Sequence, residues 1–370
     1  MASYRDILGK VEGLQRGFTS GTCAQAAAKG AARMLVSGKI CHEVSVTLRG
    51  GMELTIPLTG QKIGKNSASC SVIKDSGDDD DVTHGKEFCA EVSYCDKQEI
   101  FIRGGKGVGT VTLQGLPIPP GHSAINPNPL KMIRRSLEPL LPKEDGFNVI
   151  ISVPEGEALA KETWNPRIGI EGGISIIGTS GIIEPKSSKA YRASIALCLN
   201  VNRKGGAHKV YITPGYVGEG YLKKELHLMD EEIVKVGDHV GFALDSAVSR
   251  GFEEICLVGH IGKMAKIASG IFDTHSKYGD ARLETVAAFA AAAGASQEDV
   301  LNLLDMTMAE ASVTYLKNHN LKKAFDLLNK RLIDRCHLRF KRDLKFTSII
   351  LDLKGEDLSN ITDNRGENNE

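Results

Sequence analysis

Cysteine pairs at metal-ligand spacing are missing from this chain. Its eight cysteines, scattered from Cys23 to Cys336, include no C-x-x-C, which argues against both a disulfide framework and a structural zinc site. Most of them read as buried thiols in a reducing compartment. A net charge is missing too: 46 Lys and Arg balance 46 Asp and Glu, so no global field draws the molecule to nucleic acid or to an anionic membrane. An anionic partner must therefore meet a local basic patch. No apolar run approaches the roughly 18 residues of a membrane span, and residues 1–11 are charged and polar rather than a signal peptide, so a cytoplasmic protein is expected. Both standard phosphate-binding patterns are absent as well. Gly169, Gly172, Gly173 and Gly178 do not fall at G-x-G-x-x-G intervals before a helix, and Gly262-Lys263 has Leu257 where a phosphate loop needs glycine. That counts against a nucleotide-dependent oxidoreductase or kinase.

What is present divides the 370 residues into two styles. A loop of small residues runs into an alanine-rich helix that ends near Gly38, and "HEVSVTL" and "MELTIPL" flank Arg49-Gly50-Gly51 as a hairpin. "ASCSVIKD" and "KEFCAEVSYC" read as strands on either side of an acidic loop. From about Phe147 short apolar strands alternate with helices: "NVIISVP", "GISIIG", "KVYITPG" and "EEICLVGH", then "FTSIILDL" near the end. The expected fold class is an α+β N-terminal domain over 1–146, with Gly-rich and acidic loops, followed by an α/β Rossmann-like domain with a mostly parallel sheet. The latter is expected to be three-layered over 147–353, with a disordered polar tail at 354–370. In such sheets ligands bind beyond the carboxyl ends of the strands.

Three stretches carry candidate chemistry. "GDDDDVTHG", 77–85, has four adjacent aspartates without the alternating spacing of a calcium hand, and His84 follows Asp81 by three residues, close enough for a carboxylate to orient its ring. A solvated turn is the plain alternative. In "GFTSGTCAQ", Thr19, Ser20, Gly21 and Thr22 precede a helix, where free amides favour an anion and where ordinary capping accounts for the same residues. "LVGHIGKMAKIASGIFDTHSKYGDARLE" delivers His260, Lys263 and Lys266 to the end of a buried strand, with His275, Asp280 and Arg282 following. The lysines suit acidic groups on a ligand, or form a solvated helix face.

Together "GFTSGTCAQAAAKGAA", "SVIKDSGDDDDVTHG", "GKGVGTVTLQGLPIPPGHSAINPNP", "NPRIGIEGGISIIGTSGIIEP" and "GHIGKMAKIASGIFDTHS" resemble the CbiD family, the cobalt-precorrin-5B C(1)-methyltransferases of anaerobic cobalamin biosynthesis, over roughly residues 16–290. The family loop usually reads G-D-D-P-D-V-T, so Asp80 stands where proline is common, and Ser20 and Gln25 stand where threonine and alanine are typical. Those departures bear on loop rigidity. The resemblance implies methyl transfer from S-adenosyl-L-methionine to carbon 1 of a cobalt-bearing tetrapyrrole, with cobalt arriving only as part of the substrate and no metal held by the protein. It implies His84 or His260 as a proton acceptor, with Asp81 orienting His84. Arg16, Arg167, Lys263, Lys266 and His275 would meet the carboxylate arms, and Thr19, Ser20, Gly21 and Thr22 an arm or the methionine carboxylate. Gly172, Gly173, Gly178, Thr179 and Gly181 would lie against adenosine. The implied partners are the cobalt-precorrin and the methyl donor, with neither nucleic acid nor membrane. Homo-oligomers and transient contact with other corrin-pathway enzymes are left open, and the rival reading is a non-catalytic tetrapyrrole carrier.

Overall fold

Small side chains set how closely the Ser20–Ser37 helix approaches its sheet. Thr19 caps the helix by accepting a hydrogen bond from the Thr22 N–H, and Gly38, left-handed at φ 65°, ends it. Its alanines are buried against the strands Ser67–Ile73 and Glu87–Cys95. A β-carbon at Gly30 would come within 2.4 Å of the Leu58 side-chain tip and 3.0 Å of Cys70 Sγ, so a larger residue there would have to displace both. The computed structural model describes residues 3–340 and 344–358, and the chain divides into two compact units, Met1–Ser188 and Lys189–Glu370.

Under that helix, five strands follow the order Thr59–Ile63, Ser67–Ile73, Glu87–Cys95, Gly146–Ser152, Ile100–Gly104. Neighbours are antiparallel except for the last pair, which is parallel. Gly146–Ser152 buries Phe147, Val149 and Ile151 by strand alternation. The expected hairpin is present, Glu43–Thr47 pairing antiparallel with Glu53–Pro57 around Gly50 and Gly51, both at positive φ. Two strands expected at the head of the parallel sheet lie here instead. "NVIISVP" joins the mixed sheet, and Gly173–Ile174 makes only a two-residue parallel pair with Gly107–Val108. The compact units therefore divide between Ser188 and Lys189 and not between 146 and 147, because Gly146–Ser152 is hydrogen-bonded on both edges into the first sheet.

The second unit holds four parallel strands in the order Ile233–Lys235, Lys209–Thr213, Glu254–His260, Lys345–Leu351. Numbered along the chain, that order is 2-1-3-4. The third strand is buried over its whole interior, Ile255 to Gly259, as expected of a parallel strand covered on both faces. The Lys323–Arg339 helix packs on the last strand and on the Ile261–Ser269 helix. The chain is thus a mixed α/β protein whose sheets include parallel strands. Of the expected tail, 354–358 is held to the last strand, the Leu358 N–H donating to the Ile350 carbonyl at 2.8 Å and Asp357 bridging to Leu351. Residues 359–370 lie outside the described residues. Among the described residues no helix is long and apolar enough to cross a membrane.

Candidate functional site

The four aspartates of the first unit's acidic loop face in different directions, as adjacent residues must. Asp78 accepts from the Gln15 N–H at 2.7 Å, and Asp79 from the Lys186 N–H at 3.2 Å, burial raising the Asp79 pKa above its ordinary value. Asp80 is exposed. Asp81 pairs with Lys74, whose side chain is 2 % exposed, and accepts from the Thr83 N–H at 2.8 Å, while the Lys74 ammonium also donates to the Thr83 hydroxyl at 2.6 Å. Burial pushes the Asp81 carboxyl up, the Lys74 ammonium beside it pulls it down, and the balance lies below the usual range. Asp81 therefore neutralises a buried lysine and does not orient His84. That ring is held by Ser76, whose N–H donates to His84 Nδ1 at 3.1 Å. With Nδ1 accepting, the neutral imidazole carries its proton on Nε2, so the exposed edge of His84 offers a donor rather than a lone pair. Among the described residues no group of three or more His, Cys, Asp or Glu is placed to hold a metal ion.

The structure brings two of the sequence candidates together, the helix start at Thr19 and the glycine-rich segment 172–181, and each occupies the other. The Thr19 N–H donates to the Gly181 carbonyl at 3.0 Å, the Gly21 N–H to Ile177 at 2.9 Å, and the Thr22 hydroxyl to Gly181 at 2.8 Å. Ser20 accepts from the Ile177 N–H at 2.9 Å. Donors that would meet an anion are already engaged. The glycines answer to the same crossing: a β-carbon on Gly178 would lie 2.2 Å from Thr19, one on Gly173 2.3 Å from the Gly107 carbonyl, and one on Gly181 2.9 Å from Leu48. Only Gly172 opens to empty space, and Thr179 is exposed. Arg16 pairs with Glu184 at 3.3 Å, and Arg167 lies over the Trp164 ring. Burial pushes the Cys23 thiol far above its ordinary pKa, which removes it as a nucleophile.

In the second unit His260, Lys263, Lys266 and His275 do converge, on a cavity of about 490 Å³ at the carboxyl ends of the parallel strands. His260 ends the third strand and caps the Ile261–Ser269 helix, its Nδ1 accepting from the Gly262 N–H at 3.1 Å. Its Nε2 meets Glu310 at 3.0 Å, so both ring nitrogens are engaged. Glu310 is in turn fixed by the Leu353 N–H at 3.2 Å. Lys263 pairs with Asp238 at 3.0 Å and donates to the Pro214 carbonyl after the first strand. Burial raises the Asp238 carboxyl and Lys263 lowers it, leaving it below the ordinary value. Arg282 is forked onto Asp280, both bonds at 2.6 Å. Lys266 differs. It is 4 % exposed, donates to the Thr274 carbonyl at 3.1 Å, and forms no ion pair with any described residue. A buried ammonium with one neutral acceptor calls for an anion.

Sequence reasoning missed Asp238 and Glu310, which reach the cavity from the loop after a three-residue strand and from a helix fifty residues downstream of His260. It also missed the glycine-spaced helix start Gly215-x-x-Gly218-x-Gly220 after the first strand, in which Gly215 is the N-cap and Gly218 and Gly220 lie in the first turns of the Tyr216–Glu225 helix. There a β-carbon on Gly218 would lie 2.3 Å from the Val258 carbonyl, so glycine alone lets this helix rest on the neighbouring strand. A strand followed by a glycine-spaced helix start was the available signal.

A charged cavity beyond the carboxyl ends of parallel strands is where open α/β sheets commonly take a small-molecule ligand. The CbiD family model matches residues 8–185, and the model for the CbiD C-terminal domain matches 273–360. Cobalt-precorrin-5B C(1)-methyltransferase from Alkaliphilus metalliredigens is 39 % identical, over 92 % of this chain and 90 % of its own. The proteins of the same name from Photorhabdus laumondii and Methanocaldococcus jannaschii are 41 % and 40 % identical, over 87 % and 94 % of this chain and 85 % and 97 % of theirs. A crystal structure of the cobalamin biosynthesis protein (cbiD) from Archaeoglobus fulgidus is 30 % identical, covers 73 % of this chain and 84 % of that one, and superposes with a TM-score of 0.38. This chain belongs to the CbiD family.

Proposed function

We propose that this chain transfers a methyl group from S-adenosylmethionine to carbon 1 of cobalt-precorrin-5B, giving cobalt-precorrin-6A in anaerobic cobalamin biosynthesis. Relatives about 40 % identical over nearly the whole chain carry that name. The observation that carries the reading at the level of this chain is the strand-end cavity, where the Lys266 ammonium lies buried without a direct ion pair among the described residues, Asp280 acting on it only at longer range, since both reactants bear carboxylates. We read the second unit as Rossmann-like, from its 2-1-3-4 parallel order and the cavity beyond the strand ends. The protein works in the cytoplasm on this reading, and cobalt enters inside the substrate.

In the transfer an electron pair of the acceptor carbon forms the new carbon–carbon bond while the carbon–sulfur bond breaks and leaves its pair on sulfur, releasing a neutral thioether. The positive charge that the methyl group brings is relieved when the acceptor ring releases a proton to water. Alignment of donor and acceptor is worth roughly 7–11 kcal/mol. With both His260 nitrogens engaged and His84 presenting N–H, the histidines serve as positioning residues rather than bases: His260 sets the wall of the cavity, and His84 donates to a carboxylate arm. Arg16 and Arg167 stand as further contacts to such arms. The test is mass measurement after incubating the chain with cobalt-precorrin-5B and S-adenosylmethionine. A gain of one methyl with release of the thioether is expected, whereas an unchanged mass with the acceptor bound would make the protein a carrier.

A further inference from the structure

We propose that the cavity at the carboxyl ends of the second unit's strands is the methyl-donor site, holding the amino-acid head of S-adenosylmethionine between Lys266 and Asp238 and its purine against Met308 and Leu353. The assignment rests on the methyl-transfer reading above and replaces the 172–181 segment as the place for adenosine. That segment's glycines are consumed by backbone crossings within the first unit, and Gly172 alone faces open space.

Size comes first. Cavities of roughly 300–1,000 Å³ take one drug-sized molecule, and this one, at about 490 Å³, suits a nucleoside-sized ligand and not a whole tetrapyrrole with its arms. Topology agrees. In a 2-1-3-4 sheet the strand order reverses between the first and third strands, and the loops leaving them part at that point. The Pro214 carbonyl after Lys209–Thr213 and His260 at the end of Glu254–His260 both reach the cavity region, the former through Lys263.

Chemistry distinguishes the two ends of the ligand. On the polar side Thr274 links the opposite charges: its carbonyl accepts from the Lys266 ammonium at 3.1 Å, and its hydroxyl donates to Asp238 at 2.9 Å. A buried cation and a carboxylate both held by Thr274 match the carboxylate and ammonium of a zwitterion, the ammonium sharing Asp238 with Lys263. On the other side Met308 is 58 % exposed and Leu353 53 % exposed, two large apolar side chains on the rim of one cavity. A flat base lying on them removes both from water. A bare carboxylate arm of the acceptor would use Lys266 and leave this apolar wall uncovered.

The experiment is calorimetric titration of the full chain with S-adenosylhomocysteine, the neutral product of the donor, alongside the mass assay with cobalt-precorrin-5B. Lys266→Met should weaken binding roughly 10- to 100-fold through loss of a charge-assisted contact. Should that variant fail to fold, Met308→Asp serves: Met308 is the N-cap of the Ala309–Asn318 helix with no side-chain cap bond, so aspartate keeps the helix while placing charge on the apolar wall. It too should weaken binding, by about tenfold or more. Unchanged product affinity in the variants, or a raised KM for the acceptor alone, would overturn the donor assignment while leaving the methyl-transfer reading intact. A wild-type chain that binds the product but never methylates the acceptor would sink that reading instead.

Discussion

The acidic loop in the first unit and the basic rim in the second unit share a sequence character, each a cluster of charge beside a histidine, yet they use charge in opposite ways. In the loop the buried Lys74 has its counter-charge inside the unit, Asp81, while the less buried Asp78 and Asp79 accept backbone N–H groups and Ser76 holds the exposed His84. At the rim Lys263 and Arg282 are paired directly, but Lys266 is buried with a carbonyl as its hydrogen-bond partner and the Asp280 carboxylate only at longer range. The loop is complete without a ligand and the rim is not. Counting charges in a stretch does not reveal this, because what matters is whether the folded neighbours already neutralise them.

The largest effect should come from breaking the loop's internal pair. Asp81→Asn leaves the Lys74 ammonium buried without its counter-charge and should cost about 3 kcal/mol in chemical denaturation, reduced somewhat because Asp81 is partly exposed. The pair also sets a pH dependence. Because the folded-state pKa of Asp81 is lowered, its contribution is fully present above the ordinary carboxylate value near 4 and disappears as pH falls through the lower folded value, so over that range the wild type should lose more stability than the variant, in which Asp75 and Asp238 still contribute their share. Gly178→Ala comes next. At φ 142°, with its β-carbon 2.2 Å from Thr19, it should cost about 2 kcal/mol in thermal or chemical unfolding, and that cost marks the segment as structural.

Smaller effects sharpen the same contrast on the chemical side. Replacing His84 and His260 together by glutamine, which keeps an N–H donor near Nε2, should leave kcat within about tenfold, whereas loss of a general base costs about 10²–10⁴-fold. A loss in the latter range would return proton acceptance to one of these histidines. Smallest of all, Asp80→Ala should change stability by no more than about 0.5 kcal/mol, because Asp80 is exposed and makes no hydrogen bond or ion pair among the described residues.

Local pattern revealed whatever depends on neighbours in sequence. The run "EEICLVGH" reads as a buried strand because its apolar residues are contiguous, and the residues after it, His260, Lys263 and Lys266, could be placed at a strand end for the same reason. The pairing of Gly146–Ser152 with Glu87–Cys95 could not be placed, since any apolar strand suits that slot and register is set by the whole sheet. Ile233–Lys235 is too short to show alternation, which hid both that strand and Asp238 beyond it. Glu310 arrives from a distant helix. The glycines at 173, 178 and 181 were visible as a cluster, but a tight backbone crossing and an open ligand cradle demand the same residue, and only the atoms opposite each α-carbon separate them.

A structure of the full chain with S-adenosylhomocysteine bound tests the central claim most directly. The account expects the amino-acid end beside Lys266 and Asp238 with the purine on Met308 and Leu353. Density for the ligand along the 172–181 segment, with the strand-end cavity empty of it, would contradict it.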